Sequence, residues 1–96
     1  MTRIGDFAFS GCIGLTSIVI PDSITGIGWG AFVGCSALTS VVISDSVTNM
    51  YECAFDSCFG LSDVYYTGTE FEWKKISIGS YNDPLTSATI HYNYVP

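Results

Sequence analysis

Hydrophobic residues recur along the chain with a fixed long period. Units that begin at Ile4, Ile27 and Met50 lie 23 residues apart, and their apolar positions align column by column. The aligned columns hold Ala8, Ala31 and Ala54; Phe9, Phe32 and Phe55; Cys12, Cys35 and Cys58; Leu15, Leu38 and Leu61; Ile18, Val41 and Val64; and Ile20, Ile43 and Tyr66. A period of this length indicates a solenoid, in which each unit buries its apolar side against its neighbours.

Two short patterns within each unit predict its local structure. Leu-x-x-Ile-x-Ile ends in an alternation of β-branched residues, which predicts a short strand such as residues 15–20. Ala-Phe-x-x-Cys places apolar residues three apart before a break that contains glycine, which predicts one helical or 3₁₀ turn. Pro21-Asp22-Ser23 and Ser44-Asp45-Ser46 have the composition of turns. We therefore expect a right-handed solenoid with one short parallel strand in each coil.

The period is lost after Gly68, and the following residues predict a different unit. Residues 70–76 have the pattern of a short amphipathic helix, with Phe71, Trp73 and Ile76 as its inward residues. Asn82-Asp83-Pro84 predicts a turn, and residues 88–92 predict a final strand. The end of a solenoid exposes core side chains and unpaired strand groups, so it needs a cap. Residues 70–96 are predicted to form that cap.

The two ends of the repeat array differ in sequence. No similar capping segment precedes Ile4, which predicts an open N-terminal coil and suggests the C-terminal end of a longer solenoid. We expect a single leucine-rich-repeat domain over residues 1–96. Its predicted parts are repeats at 4–26, 27–49 and 50–69 and a capping unit at 70–96.

The aligned columns resemble the BspA-like class of leucine-rich repeats over residues 4–69. The segments Tyr66-x-Gly68-Thr69-x-x-x-Trp73 and Ala88-Thr89-Ile90-His91-Tyr92-Asn93 are similar to the closing unit of that family. The family is typical of surface proteins of host-associated bacteria and some parasitic protists. The resemblance implies a cell-surface or secreted protein with a role in adhesion, and it says little about the ligand.

Composition and charge exclude several classes of partner. The chain has 48% hydrophobic and 12% charged residues, which is typical of a globular domain. Nine acidic residues against three basic ones give a net charge of −6, and no basic stripe is present to neutralise a phosphate backbone. We expect no nucleic-acid partner and no docking on anionic lipid. No apolar run approaches the roughly 20 residues that cross a bilayer, so membrane insertion is not expected.

The candidate chemistry favours structural roles. The three cysteines of the aligned column are expected to form a buried ladder of reduced thiols, and Cys53 is also expected to be reduced. Cys53 and Cys58 lack the second pair of ligands that zinc requires, and His91 is the sole histidine. His91 is predicted to be structural or solvent-facing, and Glu70 and Glu72 to be acids of the first helical turn. We predict no catalytic residue, no metal site and no cofactor.

A candidate binding face follows from the strand pattern. Because apolar residues of Leu-x-x-Ile-x-Ile face the core, the remaining positions lie outward on a stacked sheet. The candidate residues form three ladders: Thr16, Thr39 and Ser62; Ser17, Ser40 and Asp63; and Val19, Val42 and Tyr65. β-branched residues also suit strands for structural reasons alone. If the face binds a ligand, Tyr65 is the expected anchor, since tyrosine is enriched in binding hot spots.

Three hypotheses of function follow from these observations. The first is an interaction module that binds a protein or glycan ligand in adhesion. The second is a structural spacer, or an accessory module of a larger enzyme whose catalytic domain lies elsewhere. The third is self-association through the open N-terminal coil. The presence of a signal peptide and cell-wall anchor, or of a fused hydrolase, would separate the first two.

Overall fold

Short parallel strands form two sheets that run along the axis of the solenoid. The computed structural model describes residues 2–95. In chain order the strands are Thr2–Ile4 (β1), Ser17–Ile20 (β2), Ile24–Ile27 (β3), Ser40–Ile43 (β4), Asn49–Met50 (β5), Asp63–Tyr66 (β6), Ser77–Ile78 (β7) and Thr89–His91 (β8). We call β2-β4-β6-β8 the front sheet and β1-β3-β5-β7 the back sheet. The predicted leucine-rich solenoid is confirmed.

Each coil contributes two strands, whereas the sequence pattern predicted one. The front strands begin slightly later than expected, with β2 at Ser17 instead of Leu15. The back strands were missed because their buried residues do not alternate. In β3, Ile24 and Ile27 are buried three positions apart, and Gly26 between them is buried as well. A short strand without period-2 alternation is hard to recognise from its sequence.

The Ala-Phe-x-x-Cys segments form successive β-turns instead of the predicted helical or 3₁₀ turn. Each has a turn hydrogen bond from the cysteine N–H to the phenylalanine carbonyl, for example Cys35 N to Phe32 O at 3.2 Å. Left-handed residues interrupt the segments, and Gly11, Gly34 and Ser57 have φ angles of 72°, 77° and 62°. A right-handed helical turn cannot continue through a left-handed residue, so the chain turns repeatedly and remains non-helical.

The core lies between the two sheets and is built from stacked repeat columns. Adjacent front strands pair with a register of one repeat, for example Val41 with Val64. The aromatic rings of Phe32 and Phe55 are fully buried and stack with their centroids 5.1 Å apart. Each such ring contributes about 2 to 3 kcal/mol through burial. The columns identified in the sequence are therefore the columns of the core.

The first helix closes one side of the C-terminal end. Helix α1 spans Glu70–Lys74, and Thr69 and Glu72 form a capping box at its start. Trp73 is buried and its ring meets the Tyr66 ring edge-on at 5.1 Å. Phe71 was predicted to face inward and is instead 69% exposed. Two residues rotate a helix by about 200°, so Phe71 points away when Trp73 faces the core.

The second helix occupies the segment that was predicted to be a turn. Helix α2 spans Asp83–Thr86, begins after Asn82 and buries Leu85. Proline in the first helical turn is compatible with this start because it needs no N–H partner there. The final strand β8 is shorter than the predicted span of residues 88–92. Through β7 and β8, this C-terminal unit adds one strand to each sheet.

The first coil is packed on one side only within the part of the chain that the structure describes. Phe9 is 37% exposed, whereas Phe32 and Phe55, the equivalent residues of the later coils, are fully buried. Leu15 and Ile18 are half-buried and contact the core. Strands β1 and β2 form the outer edges of the two sheets.

Candidate binding face

The outward side of the front sheet carries two continuous rows of side chains. The first row pairs Ser17 with Ser40, Asp63 and Thr89 along the sheet. The second row pairs Val19 with Val42, Tyr65 and His91 in the same order. Val19 is 61% exposed, while Val42 and Tyr65 are half-buried. The structure therefore brings six of the nine candidate residues into two straight rows on one surface.

The remaining three candidates lie just before the strands and bond to the backbone. The Thr39 hydroxyl donates to the carbonyl of Thr16 at 3.1 Å, and the Ser62 N–H donates to the carbonyl of Thr39 at 3.0 Å. These bonds join each coil to the one before it. The three residues are exposed, but the hydroxyls of Thr39 and Ser62 already have an internal partner.

His91 joins the second row and was not among the candidate residues. Its ring stacks on Tyr65 with the centroids 4.6 Å apart and an angle of 13° between the planes. Its Nε2 atom lies 2.9 Å from Asp63 Oδ1. The Tyr94 ring packs against Tyr65, with the ring centroids 4.9 Å apart. We call Asp63, Tyr65, His91 and Tyr94 the aromatic cluster.

The sequence explains why His91 was not predicted to lie in this row. Tyr65 and His91 are 26 residues apart, whereas Val42 and Tyr65 follow the period of 23. The longer last coil contains α2, and its extra residues shift the register. The alternation Thr89, Ile90, His91 was the available signal, because Ile90 contacts the core and so places its neighbours outward.

Hydrogen bonds within the aromatic cluster hold Asp63 in its charged form. The bond with His91 and a second from the Ser62 hydroxyl, 2.9 Å from Oδ2, lower the pKa of the Asp63 carboxyl below its ordinary value. A carboxylate with two donors is fixed in orientation. It gives the half-buried aromatic cluster one defined acceptor group.

The cysteines form the predicted ladder of free thiols. Cys35 and Cys58 are buried, Cys12 is half-buried at the exposed coil, and Cys53 lies outside the ladder. The Sγ atoms of Cys35 and Cys58 lie 3.1 and 3.0 Å from the carbonyls of Phe9 and Phe32. Burial raises the pKa of the Cys58 thiol to about 11. Among residues 2–95, no group of three or more histidine, cysteine or acidic side chains is arranged to hold a metal ion.

The fold and its stacked columns define a leucine-rich-repeat solenoid. The family model for the BspA type leucine rich repeat region, in 6 copies, matches residues 1–94. The chain therefore belongs to the BspA-type leucine-rich-repeat family. This confirms the resemblance seen in the repeat columns.

A solved structure provides a second comparison. The chain is similar to a leucine rich cell surface protein from Faecalibacterium prausnitzii A2-165, with 42% sequence identity and a TM-score of 0.77. The match covers 79% of this chain and 20% of that protein, so this chain spans about a fifth of its length. Nothing among the curated proteins matches the chain. Across residues 2–95, neither helix has the length or apolar character needed to cross a membrane.

Proposed function

We propose that the chain is a macromolecule-binding module of a bacterial cell-surface or secreted protein, and that it acts in adhesion. Membership of the BspA-type family supports this role, as does the similarity to a leucine rich cell surface protein. The proposed ligand is a protein, bound on the outward side of the front sheet. The central contacts on this face are Val42 and the four residues of the aromatic cluster, which include Tyr65.

The observation that carries the proposal is the outward row from Val19 to His91, in which Val19 is exposed and the other three side chains are half-buried. Valine, tyrosine and histidine side chains continue along four strands, next to a polar row of hydroxyl groups and one carboxylate. Protein interfaces combine apolar and aromatic centres with polar rims in this way. Stacking also fixes the Tyr65 ring against His91, so little side-chain entropy is lost on binding.

The same geometry favours binding over catalysis at this face. His91 Nε2 is engaged with Asp63, and the imidazole is stacked on Tyr65. Hydrolytic catalysis would need a nucleophile beside the histidine and an orienting group behind it. In the proposed role, His91 and Asp63 instead hold the aromatic rings in place.

An array of immobilised extracellular-matrix proteins tests the proposal. We expect the unmodified chain to bind at least one of them, and the double variant Val42→Ser with Tyr65→Ser to bind at least tenfold more weakly, since central aromatic anchors contribute about 2 kcal/mol or more. The matched control is Phe59→Ser with Phe71→Ser, which removes two exposed aromatic rings that lie elsewhere. Equal binding by the double variant and the unmodified chain would refute the proposal.

A further inference from the structure

We propose that the back sheet carries a second ligand site, a cleft that binds a neutral saccharide. The cleft has a volume of about 420 Å³ and is lined by Arg3, Thr25, Gly26, Thr48, Asn49 and Tyr51. This volume lies within the range of small-molecule sites, roughly 300 to 1,000 Å³. The cleft lies on the sheet opposite the proposed adhesive face, so this inference goes beyond the proposed function and does not depend on it.

Gly26 lies at the centre of the cleft floor. It pairs with Arg3 on one side and with Asn49 on the other, in the outward row of the back sheet. A Cβ atom at Gly26 would lie 2.8 Å from Asn49 Oδ1, closer than a real contact allows. The amide group of Asn49 therefore lies over the space that a side chain at position 26 would fill. The missing side chain lets this amide lie across the floor of the cleft, where it presents a polar group.

Arg3, Asn49 and Tyr51 have polar groups that are free to bind a ligand in this cleft, whereas the two threonine hydroxyls are not. The Thr25 and Thr48 hydroxyls already donate to the carbonyls of Thr2 and Thr25, at 3.3 and 3.2 Å. Arg3 uses one N–H in its 2.9 Å pair with Asp6, which leaves other N–H groups of the guanidinium available. Within residues 2–95, the Asn49 amide and the Tyr51 hydroxyl have no hydrogen-bond partner.

Arg3 and Tyr51 form one wall of the cleft. The guanidinium carbon of Arg3 lies 4.8 Å from the centre of the Tyr51 ring, and the contact restrains both side chains. Tyr51 is 41% exposed, so its ring edge and hydroxyl remain accessible. The wall therefore combines restrained N–H donors with a hydroxyl that both donates and accepts.

The set of polar groups favours a neutral saccharide over an anion. Sugar hydroxyls donate and accept, which matches the amide of Asn49 and the hydroxyl of Tyr51. An anionic ligand would depend on Arg3, which is already paired with Asp6 in a chain of net charge −6. The exposed part of the Tyr51 ring offers an uncharged apolar surface against which the C–H groups of a pyranose ring can pack. A neutral hexose unit thus fits both the polar and the apolar parts of the cleft.

Titration of the ¹⁵N-labelled chain with glucose, galactose and mannose, each added separately, tests the inference by NMR. We expect at least one of these sugars to cause saturable shift changes at Gly26, at Tyr51 and at the side-chain amide of Asn49. Asn49→Ala is expected to weaken that binding about fivefold or more, the value of one hydrogen bond. The matched control Phe59→Ser changes an exposed residue outside the cleft and is expected to bind as the unmodified chain does.

Glucuronic acid serves as the charged counterpart in the same titration. Saturable shifts with glucuronic acid and none with the three neutral sugars would overturn the neutral-saccharide assignment. Shifts confined to the front sheet, no saturable shifts with any sugar up to its solubility limit, or unchanged affinity in Asn49→Ala would overturn the site itself. These outcomes are separate from the array result, which concerns protein ligands of the front sheet.

Discussion

The side-chain oxygen of Asn82 accepts a hydrogen bond from the backbone N–H of Phe55 at 2.8 Å. In the two earlier coils the equivalent N–H groups, of Phe9 and Phe32, donate to backbone carbonyls of the next coil at 2.7 Å. Asn82 thus replaces the carbonyl of a further repeat. Its amide nitrogen donates to the carbonyls of Tyr51 and Gly79, so both polar atoms of the buried side chain are paired.

Asn82→Ala is expected to lower the free energy of unfolding by about 3 kcal/mol, because it leaves the buried Phe55 N–H and the Gly79 carbonyl without partners. Asn82→Asp is expected to destabilise as well, since a carboxylate keeps the acceptor but cannot donate to the two carbonyls. Chemical denaturation measures both changes. Ser80→Ala, an exposed neighbour, is the control and should stay within about 0.5 kcal/mol. An Asn82→Ala variant as stable as the control would show that the C-terminal unit does not depend on this residue.

The turn column of Gly11, Gly34 and Ser57 gives a second prediction. All three residues have left-handed φ angles, and serine is strained in that conformation while glycine is not. Ser57→Gly is therefore expected to raise the free energy of unfolding by about 1 kcal/mol, even after the entropy cost of glycine. The reverse change, Gly34→Ser, should lower it by a similar amount, since a Cβ there meets nothing closer than 3.9 Å and only conformation changes. Shifts of the same sign in both variants would contradict this explanation.

The pair of Asp63 and His91 predicts a pH dependence. Because the folded-state pKa of Asp63 is lowered, the pair contributes stability above the ordinary aspartate pKa of about 3.9, and this contribution is lost as the pH falls through the lowered value. His91→Phe keeps an aromatic ring but removes the bond, so the pKa of Asp63 should rise towards its ordinary value. NMR titration of the Asp63 carboxyl group measures the change. A pKa that is the same in both proteins would show that the bond does not form in solution.

Burial of the thiol ladder predicts unequal cysteine reactivity. With a pKa of about 11, roughly one Cys58 thiol in a thousand is ionised at pH 8. We expect Cys35 and Cys58 to react with a thiol reagent more slowly than the half-buried Cys12 and Cys53 in the folded protein. In denaturant without reductant, all four should react. Fewer than four reactive thiols would contradict the prediction of reduced cysteines.

The repeat columns were sufficient to predict the front sheet and the core. Phe32, Val41 and Cys58 belong to columns that recur every 23 residues, and each is buried in the core. The back sheet could not be predicted in this way, because Gly26 and its neighbours show no alternation. The inward placement of Phe71 was wrong, because residues two apart on a helix differ by about 200° in direction and Trp73 is the one that faces the core.

The repeat period also predicted part of the candidate face. Val19, Val42 and Tyr65 follow the period, so their alignment was visible in the sequence. His91 and Tyr94 lie beyond the point where the period changes, and only the folded chain brings them beside Tyr65. The role of Asn82 could not be predicted from the columns either. Its side-chain oxygen takes the place of a backbone carbonyl, so no similar residue occurs at the equivalent position of the other repeats.

A ligand bound in adhesion must lie against the outward side of the front sheet if this side is the proposed adhesive surface. NMR cross-saturation, with the labelled chain bound to the matrix protein that the array selects, locates the contact directly. We expect the strongest attenuation at Val42, Tyr65 and His91, and little at the exposed control residues Phe59 and Phe71. Attenuation confined to the Ala-Phe-x-x-Cys turns or to the back sheet, with the Tyr65 and His91 signals unchanged, would contradict the proposal.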